Sequence, residues 1–583
     1  MKDQSAQAIK ILLSKLPSRR LGQLALLALL MLLGGFSEVV TLGLVVPFLA
    51  FLVDPLQALE IPFVAQIASI FDATDTNNLR WQFTLLFVAA AVGSSLLRFT
   101  TIWAITKIVF IIGHEIGVEV FRRVIHQPYS VHVSKNSSEI LGAIEKVNPI
   151  FHILISLLNA ISALLIAISI VVTLIIISPE FTAITIVTLG GAYGLIVFIL
   201  KNKLEKNSEI ISKNMNERIK IAQEGLGSIR DILLDHGQLN FSNRFIERDL
   251  KLRKAQGSNY TIGPTPRFLV EGMGILLIAS FAYVSVMSGN GVNTVIPALG
   301  AMALGAQRLL PNLQLIYLGI TGLKGQEQGV LDVIEILDLP IDEKILSNLD
   351  PLKFENQVSF EKVDFQFQTD LPMVLKELNF SINKGERIGF VGPTGSGKST
   401  TLDLLMGLLT PSNGKISVDN IPLVGKTLLQ WQKNITHVPQ DLYLMDASFA
   451  ENIAFCEAPE DINLLHVEEA AKLAHIHDFI VSKPLGYQSL LGERGVQLSG
   501  GQRQRIGIAR ALYRKASVLV LDEATSALDS NMEEAVMSSI RKIDSSITII
   551  MIAHRVSTLQ YCDYIFQMEN GKIINKSDAA SIK

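Results

Sequence analysis

Arg387-Ile-Gly-Phe-Val-Gly-Pro-Thr-Gly-Ser-Gly-Lys-Ser-Thr400 decides the fold of the C-terminal part of this chain. Arg387 to Val391 is a short apolar strand, and it runs through a glycine-rich loop into the helix-like stretch Leu402 to Leu409. In that strand–loop–helix order, G-x-x-x-x-G-K-S has a physical meaning. The glycines let successive backbone N–H groups curl around phosphate oxygens at a helix N-terminus, Lys398 reaches the β and γ phosphates, and Ser399 offers a hydroxyl to Mg²⁺. Further along, Val518-Leu-Val-Leu521 is a second apolar strand, and it ends on Asp522-Glu523. A lone acidic pair at a strand end is ordinarily a solvated terminus, but a phosphate loop upstream changes its meaning. Asp522 is then expected to hold Mg²⁺ through water, and Glu523 to polarise an attacking water as general base.

The rest of the chain has a different character. Of 583 residues, 49% are hydrophobic and 18% charged, which excludes disordered, collagen-like and disulfide-stapled classes and favours a membrane protein. A net charge of −3 gives no reason to expect a nucleic-acid partner. Cys456 and Cys562 are too few for a disulfide framework or metal cluster and read as incidental buried thiols. Apolar runs long enough to cross about 30 Å of hydrocarbon lie near residues 21–53, 82–112, 147–177, 181–200, 268–288 and 293–323. Lys2, Lys10, Lys15, Arg19 and Arg20 precede the first run, and thirteen basic residues lie between Lys201 and Arg267. The positive-inside rule therefore predicts both termini in the cytoplasm, and a bacterial inner membrane is the simplest location. The expected fold is multidomain: an all-α, six-helix transmembrane domain over 1–325, a linker over 326–355 with a short helical connector at Val330 to Leu337, and an α/β P-loop NTPase domain over 356–583.

The motifs around the phosphate loop resemble the ATP-binding cassette (ABC) family. Leu498-Ser-Gly-Gly-Gln502 matches that family's signature sequence, and its glycines sit before a helix expected over Gln502 to Arg514. Further matches are Gln440 in Val438-Pro-Gln440, the loop Ser526-Ala-Leu-Asp529, His554 in Ile552-Ala-His554 and the segment Gly492-Glu-Arg-Gly495. The resemblance implies ATP and Mg²⁺ at a site lined by Gly392, Pro393, Thr394, Gly395, Ser396, Gly397, Lys398, Ser399 and Thr400. Gln440 would join Ser399 and Asp522 around Mg²⁺, and Glu523, His554, Lys398 and Gln440 would carry hydrolysis. Ser499, Gly500, Gly501 and Gln502 would close on ATP held by a second copy, giving a homodimer with two competent sites. Where many members stack adenine on tyrosine, Phe367 stands here; two core aromatics on one strand face, Phe365 and Phe367, are the other reading. The loops near Gln127 to Ile140 and Glu224 to Asp235 would form coupling helices.

Six crossings fused ahead of one cassette resemble an exporter-type half-transporter. Glu38, Arg98, Lys107, Glu271 and Arg308 fall within or beside the apolar runs, where charges are costly and face a cavity or one another. Arg98 and Arg308 suit a phosphate or pyrophosphate head group; pairing of Glu38 with Arg98 is the structural alternative. Leu56 to Phe71 has roughly helical apolar spacing and suggests a helix lying on the outer membrane surface. Ser37 to Pro47, Glu224 to Asp231 and Pro266 to Glu271 look like the flippases for lipid-linked oligosaccharides and glycolipids. The expected function is ATP-driven export or flipping of such a lipid by alternating access. A multidrug or small-molecule exporter and a nucleotide-gated channel are the alternatives.

Overall fold

A computed structural model of the chain describes residues 4–53, 59, 76–134, 136–177, 179–287, 292–341, 349–368, 370–523, 530–543, 546–552, 559–560 and 562–579. Two compact units partition it: Met1–Gln127 with Lys135–Ile341, and Asp342–Lys583 with Pro128–Ser134.

The first unit is helical. Its elements are α1 (Gln4–Ser14), α2 (Ser18–Val53), α3 (Thr76–Ile125), α4 (Ser137–Glu145), α5 (Val147–Ile177), α6 (Pro179–Thr185), α7 (Gly191–Gly227), α8 (Ile229–Leu234), α9 (Gln238–Ile262), α10 (Thr265–Met287), α11 (Val292–Gly325) and α12 (Glu327–Leu337). A π-helical turn, Ile186–Gly190, joins α6 to α7. Among the described residues five helical runs are long and apolar enough to cross a membrane: Ser18–Leu52, Leu79–Ile125, Ser138–Ile176, Thr182–Gly227 and Gln238–Val284. The run expected at 293–323 falls on α11, whose N-terminal side chains lie outside the described residues. The helices outlast the apolar runs: α3, with 50 residues, is about 75 Å long at 1.5 Å per residue, far more than the hydrocarbon needs. Leu26, Phe36, Phe99 and Phe198 are exposed along these helices, an arrangement that suits lipid and would be costly in water. The suggested surface helix at Leu56 to Phe71 lies outside the described residues.

The second unit is built on two sheets. β1 (Gln357–Phe365), β2 (Leu375–Asn383), β4 (Asn413–Val418) and β5 (Ile421–Pro422) form an antiparallel sheet in the order β2-β1-β4-β5. β3 (Arg387–Val391), β6 (Ile435–Val438), β7 (Val518–Asp522), β8 (Thr548–Ile552), β9 (Tyr564–Glu569) and β10 (Lys572–Asp578) form the other, in the order β10-β9-β3-β8-β7-β6. Its inner strands are parallel, and β8 is buried at every residue, which is why they read as unbroken apolar runs. Alternation decides the packing: Leu519, Leu521, Ile549 and Met551 join one core cluster, while Val518, Val520, Ile550 and Ile552 join the other. The parallel sheet is therefore covered on both faces.

Two predicted boundaries shift. The helix after the phosphate loop, α13, spans Lys398–Leu405 rather than Leu402 to Leu409. It begins where left-handed Gly397 turns the chain, and left-handed Gly407, two residues past its end, turns the chain away, with Leu408 N–H bonding back to the Asp403 carbonyl. The signature helix, α14, spans Gly500–Tyr513 and starts two residues early because Ser499 and Gln502 form a reciprocal capping box. Cys562 is buried, whereas Cys456 is exposed, contrary to the expectation of two buried thiols.

Candidate functional site

The parallel register gathers the candidate residues at one edge of the sheet. Phe390 of β3 pairs with Ile552 of β8, which pairs with Asp522 of β7. Asp522 thus lies level with the end of β3, two strands away, about 10 Å at the usual strand spacing. Val438 of β6 pairs with Leu521, so Gln440, just past β6, arrives beside Glu523, just past β7. The Gln440 Nε2 donates to Glu523 Oε2 at 2.7 Å. Glu523 has a φ of +50°, a left-handed backbone that a non-glycine residue adopts at a cost and that recurs at functional sites. Its own carbonyl accepts from Gln504 Nε2 of α14 at 3.4 Å.

The loop is held open by glycines in the same region of backbone space. Gly392, Gly395 and Gly397 have φ of +151°, +82° and +99°. A Cβ on Gly392 would come within 2.1 Å of the Met568 carbonyl oxygen, while one on Gly395 would meet open space. Pro393, Thr394 and Ser399 are exposed and Thr400 half-buried, whereas Ser396 and Lys398 are buried. The Ser396 hydroxyl has no hydrogen-bond partner, an orphaned group in a cradle of backbone N–H donors that suits an anion. Lys398 Nζ donates to the carbonyls of Gly392 at 2.8 Å and Pro393 at 3.0 Å. Burial lowers the Lys398 pKa, against the opposing pull of Glu523 and Asp522. Sequence reading missed Asp403, on the helix that Lys398 begins: burial, with the charge of Asp522, pushes its carboxyl up to about 6. Nothing in a motif marks it.

Ser499 caps α14, its side chain accepting from Gln502 N–H, and Ser499 and Gly500 are exposed while Gly501 and Gln502 are half-buried. The start of this 14-residue helix is open to an anion. Phe367 is 49% exposed and stands edge-on to the buried Phe365, ring centroids 5.1 Å apart; of the pair only Phe365 is core. His554 and the loop Ser526 to Asp529 lie outside the described residues.

In the helical unit, three of the five intramembrane charges form one cluster. Glu38 of α2 is 0% exposed; Arg98 Nη2 of α3 lies 2.8 Å from its Oε1, and Arg308 Nη1 of α11 pairs with its Oε2. Ser94 Oγ donates to Glu38 Oε1 at 2.8 Å. Lys107 instead lies over the Trp103 ring, and Glu271 is 3.8 Å from Arg267. A second buried cluster had no sequence signal. Lys146 Nζ, between α4 and α5, reaches Asp332 Oδ2 of α12 at 2.6 Å and Ser212 Oγ of α7 at 3.0 Å. Burial raises the Asp332 carboxyl, but hydrogen bonds from Lys146, Ser212 and Gln328 and the Lys146 charge outweigh it and leave the group below the usual range.

Apolar membrane-crossing helices joined to a phosphate loop with a carboxylate pair at a parallel-sheet edge define a nucleotide-driven membrane transporter. The chain matches the family described as ABC transporter over residues 375–526 and the ABC transporter transmembrane region over 40–291. It is 30% identical to ABC transporter B family member 29, chloroplastic, of Arabidopsis thaliana, over 73% of this chain and 68% of that one. It is 31% identical to the ATP-dependent lipid A-core flippase of Alcanivorax borkumensis, over 67% of each. The protein of the same name from Burkholderia orbicola is 27% identical over 87% of this chain and 85% of its own length. The fold is shared with a bacterial Atm1-family ABC exporter solved with ATP bound: TM-score 0.76, 24% identity, covering 96% of this chain and 95% of that one. The chain belongs to the ABC transporter family, as a multi-pass membrane protein whose cassette couples ATP hydrolysis to transport.

Proposed function

We propose that two copies of this chain form an exporter that uses ATP to flip an amphipathic lipid, of the lipid-linked oligosaccharide or glycolipid type, across a bacterial inner membrane. Both termini are assigned to the cytoplasm, and the domains to 1–325 and 356–583. The observation that carries the cargo reading is the excess of guanidinium over carboxylate among Glu38, Arg98 and Arg308. Glu38 is spent on the two arginines, so the cluster keeps one net positive charge among apolar helices, where a phosphate or pyrophosphate head group is its natural complement. Similarity to lipid A-core flippases supports a lipid.

At the cassette, residues 392–400 bind the triphosphate, and Phe367 offers a ring face to the base. Ser399, Gln440 and Asp522 supply the hydroxyl, amide and carboxylate oxygens that suit Mg²⁺, which when bound neutralises charge on the phosphates. Glu523, oriented by Gln440, takes the proton of the attacking water, and Lys398 and His554 stabilise charge on the γ phosphate. Ser499, Gly500, Gly501 and Gln502 face the nucleotide held by the second copy. Exposed Leu226, Ile229, Leu233 and Leu234 around α8 support burial of that turn in a homodimer.

The test is a vesicle assay with the purified protein. ATP-dependent flipping of a fluorescent pyrophosphate-linked glycolipid is compared with efflux of hydrophobic dyes, and transport of dyes alone would defeat the lipid reading.

A further inference from the structure

Two backbone defects sit in neighbouring membrane helices, and side chains of a third helix join them. Between α9 and α10 the helix is interrupted at Gly263–Pro264. Pro264 and Pro266 have no N–H to continue the ladder, so carbonyls at the break, that of Ile262 among them, need other donors. They find them in succession: Thr265 Oγ1 bonds the Thr261 carbonyl, Tyr317 Oη the Ile262 carbonyl at 3.1 Å, and Gln314 Nε2 the Gly263 carbonyl at 2.8 Å. Gln314 and Tyr317 are three residues apart on α11, one face of a helix. Gln314 also looks the other way, its Oε1 accepting from Tyr193 Oη of α7 at 3.1 Å. Tyr193 lies three residues past the π-helical turn Ile186–Gly190, the second defect.

The glycines there are not demanded by packing. Gly190 and Gly191 have ordinary right-handed φ of −63° and −62°, and a Cβ on either would meet no atom within 4 Å. What they contribute is backbone freedom. Below this level α7 and α9 are tied by Asn207 Nδ2 to Asn259 Oδ1 at 2.7 Å, and they carry the α8 turn between them.

We propose that Ile186–Gly191 and Gly263–Pro264 form a paired hinge, with Gln314 and Tyr317 as its pins, about which α7 and α9 swing together relative to α6 and α10 during the ATP cycle. Helix defects whose polar groups are held by neighbouring side chains bend without exposing unpaired backbone to lipid. This inference rests on the ATP-driven cycle proposed above.

The experiment uses full-length protein in nanodiscs on a cysteine-free background. Spin labels replace Lys254 of α9 and Leu276 of α10, both exposed, and distances are compared between nucleotide-free and ATP–vanadate-trapped protein. A second sample labels only Leu234, to report the approach of the two copies. The hinge predicts a shift of several ångström in the 254–276 distance alongside the 234–234 change. Gly190→Ala with Gly191→Ala, which adds no contact, shrinks that shift and slows ATP turnover several-fold while nucleotide affinity holds. A moving 234–234 distance with a fixed 254–276 distance overturns the hinge alone. If neither distance moves, the cycle itself falls and the hinge with it. Unchanged turnover and an unchanged 254–276 shift in the double alanine variant also count against the hinge.

Discussion

Two charged clusters in this protein solve opposite problems. At the sheet edge of the cassette, Glu523 is half-buried, has a left-handed backbone and accepts from the Gln440 side chain. Between α2, α3 and α11, Glu38 is sealed from solvent by two arginines and a serine. The first holds a carboxylate at a strand end on a backbone conformation that a non-glycine residue adopts at a cost. The second consumes a carboxylate to hold cationic groups where no cation is otherwise tolerated. One therefore carries a backbone cost beside a hydrogen-bonded carboxylate, while the other pairs its carboxylate with two cations and keeps a net positive charge.

The largest expected effect tests the chemical side of that contrast. Glu523→Gln keeps the shape and the hydrogen-bonding reach of the side chain and removes its basicity. ATP turnover in proteoliposomes is expected to fall about 10²–10⁴-fold, the usual worth of a positioned general base, while ATP binding persists and the trapped dimer accumulates. A variant that retained a tenth of the activity would place the base elsewhere.

Glu38→Gln is expected to come next in size, and its effect is on stability. The substitution leaves Arg98 and Arg308 side by side without a counterion, at roughly 4 kcal/mol by analogy with broken buried pairs. Arg98→Gln or Arg308→Gln costs clearly less, because Glu38 keeps one partner. Thermal unfolding in detergent reads the asymmetry; equal losses for all three variants would show that Glu38 does not serve both arginines together.

The same contrast explains what the sequence revealed. Lys398 and Asp522 are legible because a strand, a glycine turn and a helix start fix them within a few residues each, and Gln440 through the family resemblance. Their mutual placement then follows from parallel pairing alone. The Glu38 cluster was legible as a list of costly charges with one candidate pair, Glu38 with Arg98, which the structure contains. Its pairing depends on the rotation of three long helices, which no local pattern specifies, and Arg308 joined the pair because α11 turns that face inward. Lys146 and Asp332 carried no signal at all: each reads as an ordinary charge, and only tertiary packing buries Lys146 and half-buries Asp332. Asp403 was hidden for the same reason, on a helix read for its lysine and serine.

Lys146–Asp332 is the structural counterpart, an ion pair supported by Ser212 and Gln328 with no surplus charge. Lys146 is 3% exposed, so Asp332→Asn strands a buried ammonium at a loss of about 3 kcal/mol, and Lys146→Met with Asp332→Leu restores most of it. Because the Asp332 pKa is depressed in the folded state, its contribution is present above the unfolded value and disappears as pH falls through the folded one. A double-mutant cycle in thermal unfolding, repeated near neutral pH and below the ordinary carboxylate range, measures both.

The smallest effect has the opposite sign. The Asp403 carboxyl titrates at about 6 rather than the ordinary 3.8, so between those values the folded cassette holds a proton that the unfolded chain has released. Stability then falls as pH rises through this window and is level above it. Asp403→Asn removes the fall. Since Asp403 is only partly buried, solvent screening cuts the gain to the order of 1 kcal/mol near pH 7.5, vanishing near pH 4. Unfolding of the nucleotide-free protein at the two pH values checks it; an equal gain at both would assign the effect to packing. Neutralising Glu38 removes a counterion its neighbours need, whereas neutralising Asp403 removes a charge that burial and then Asp522 disfavour, and the two substitutions move stability in opposite directions for that reason.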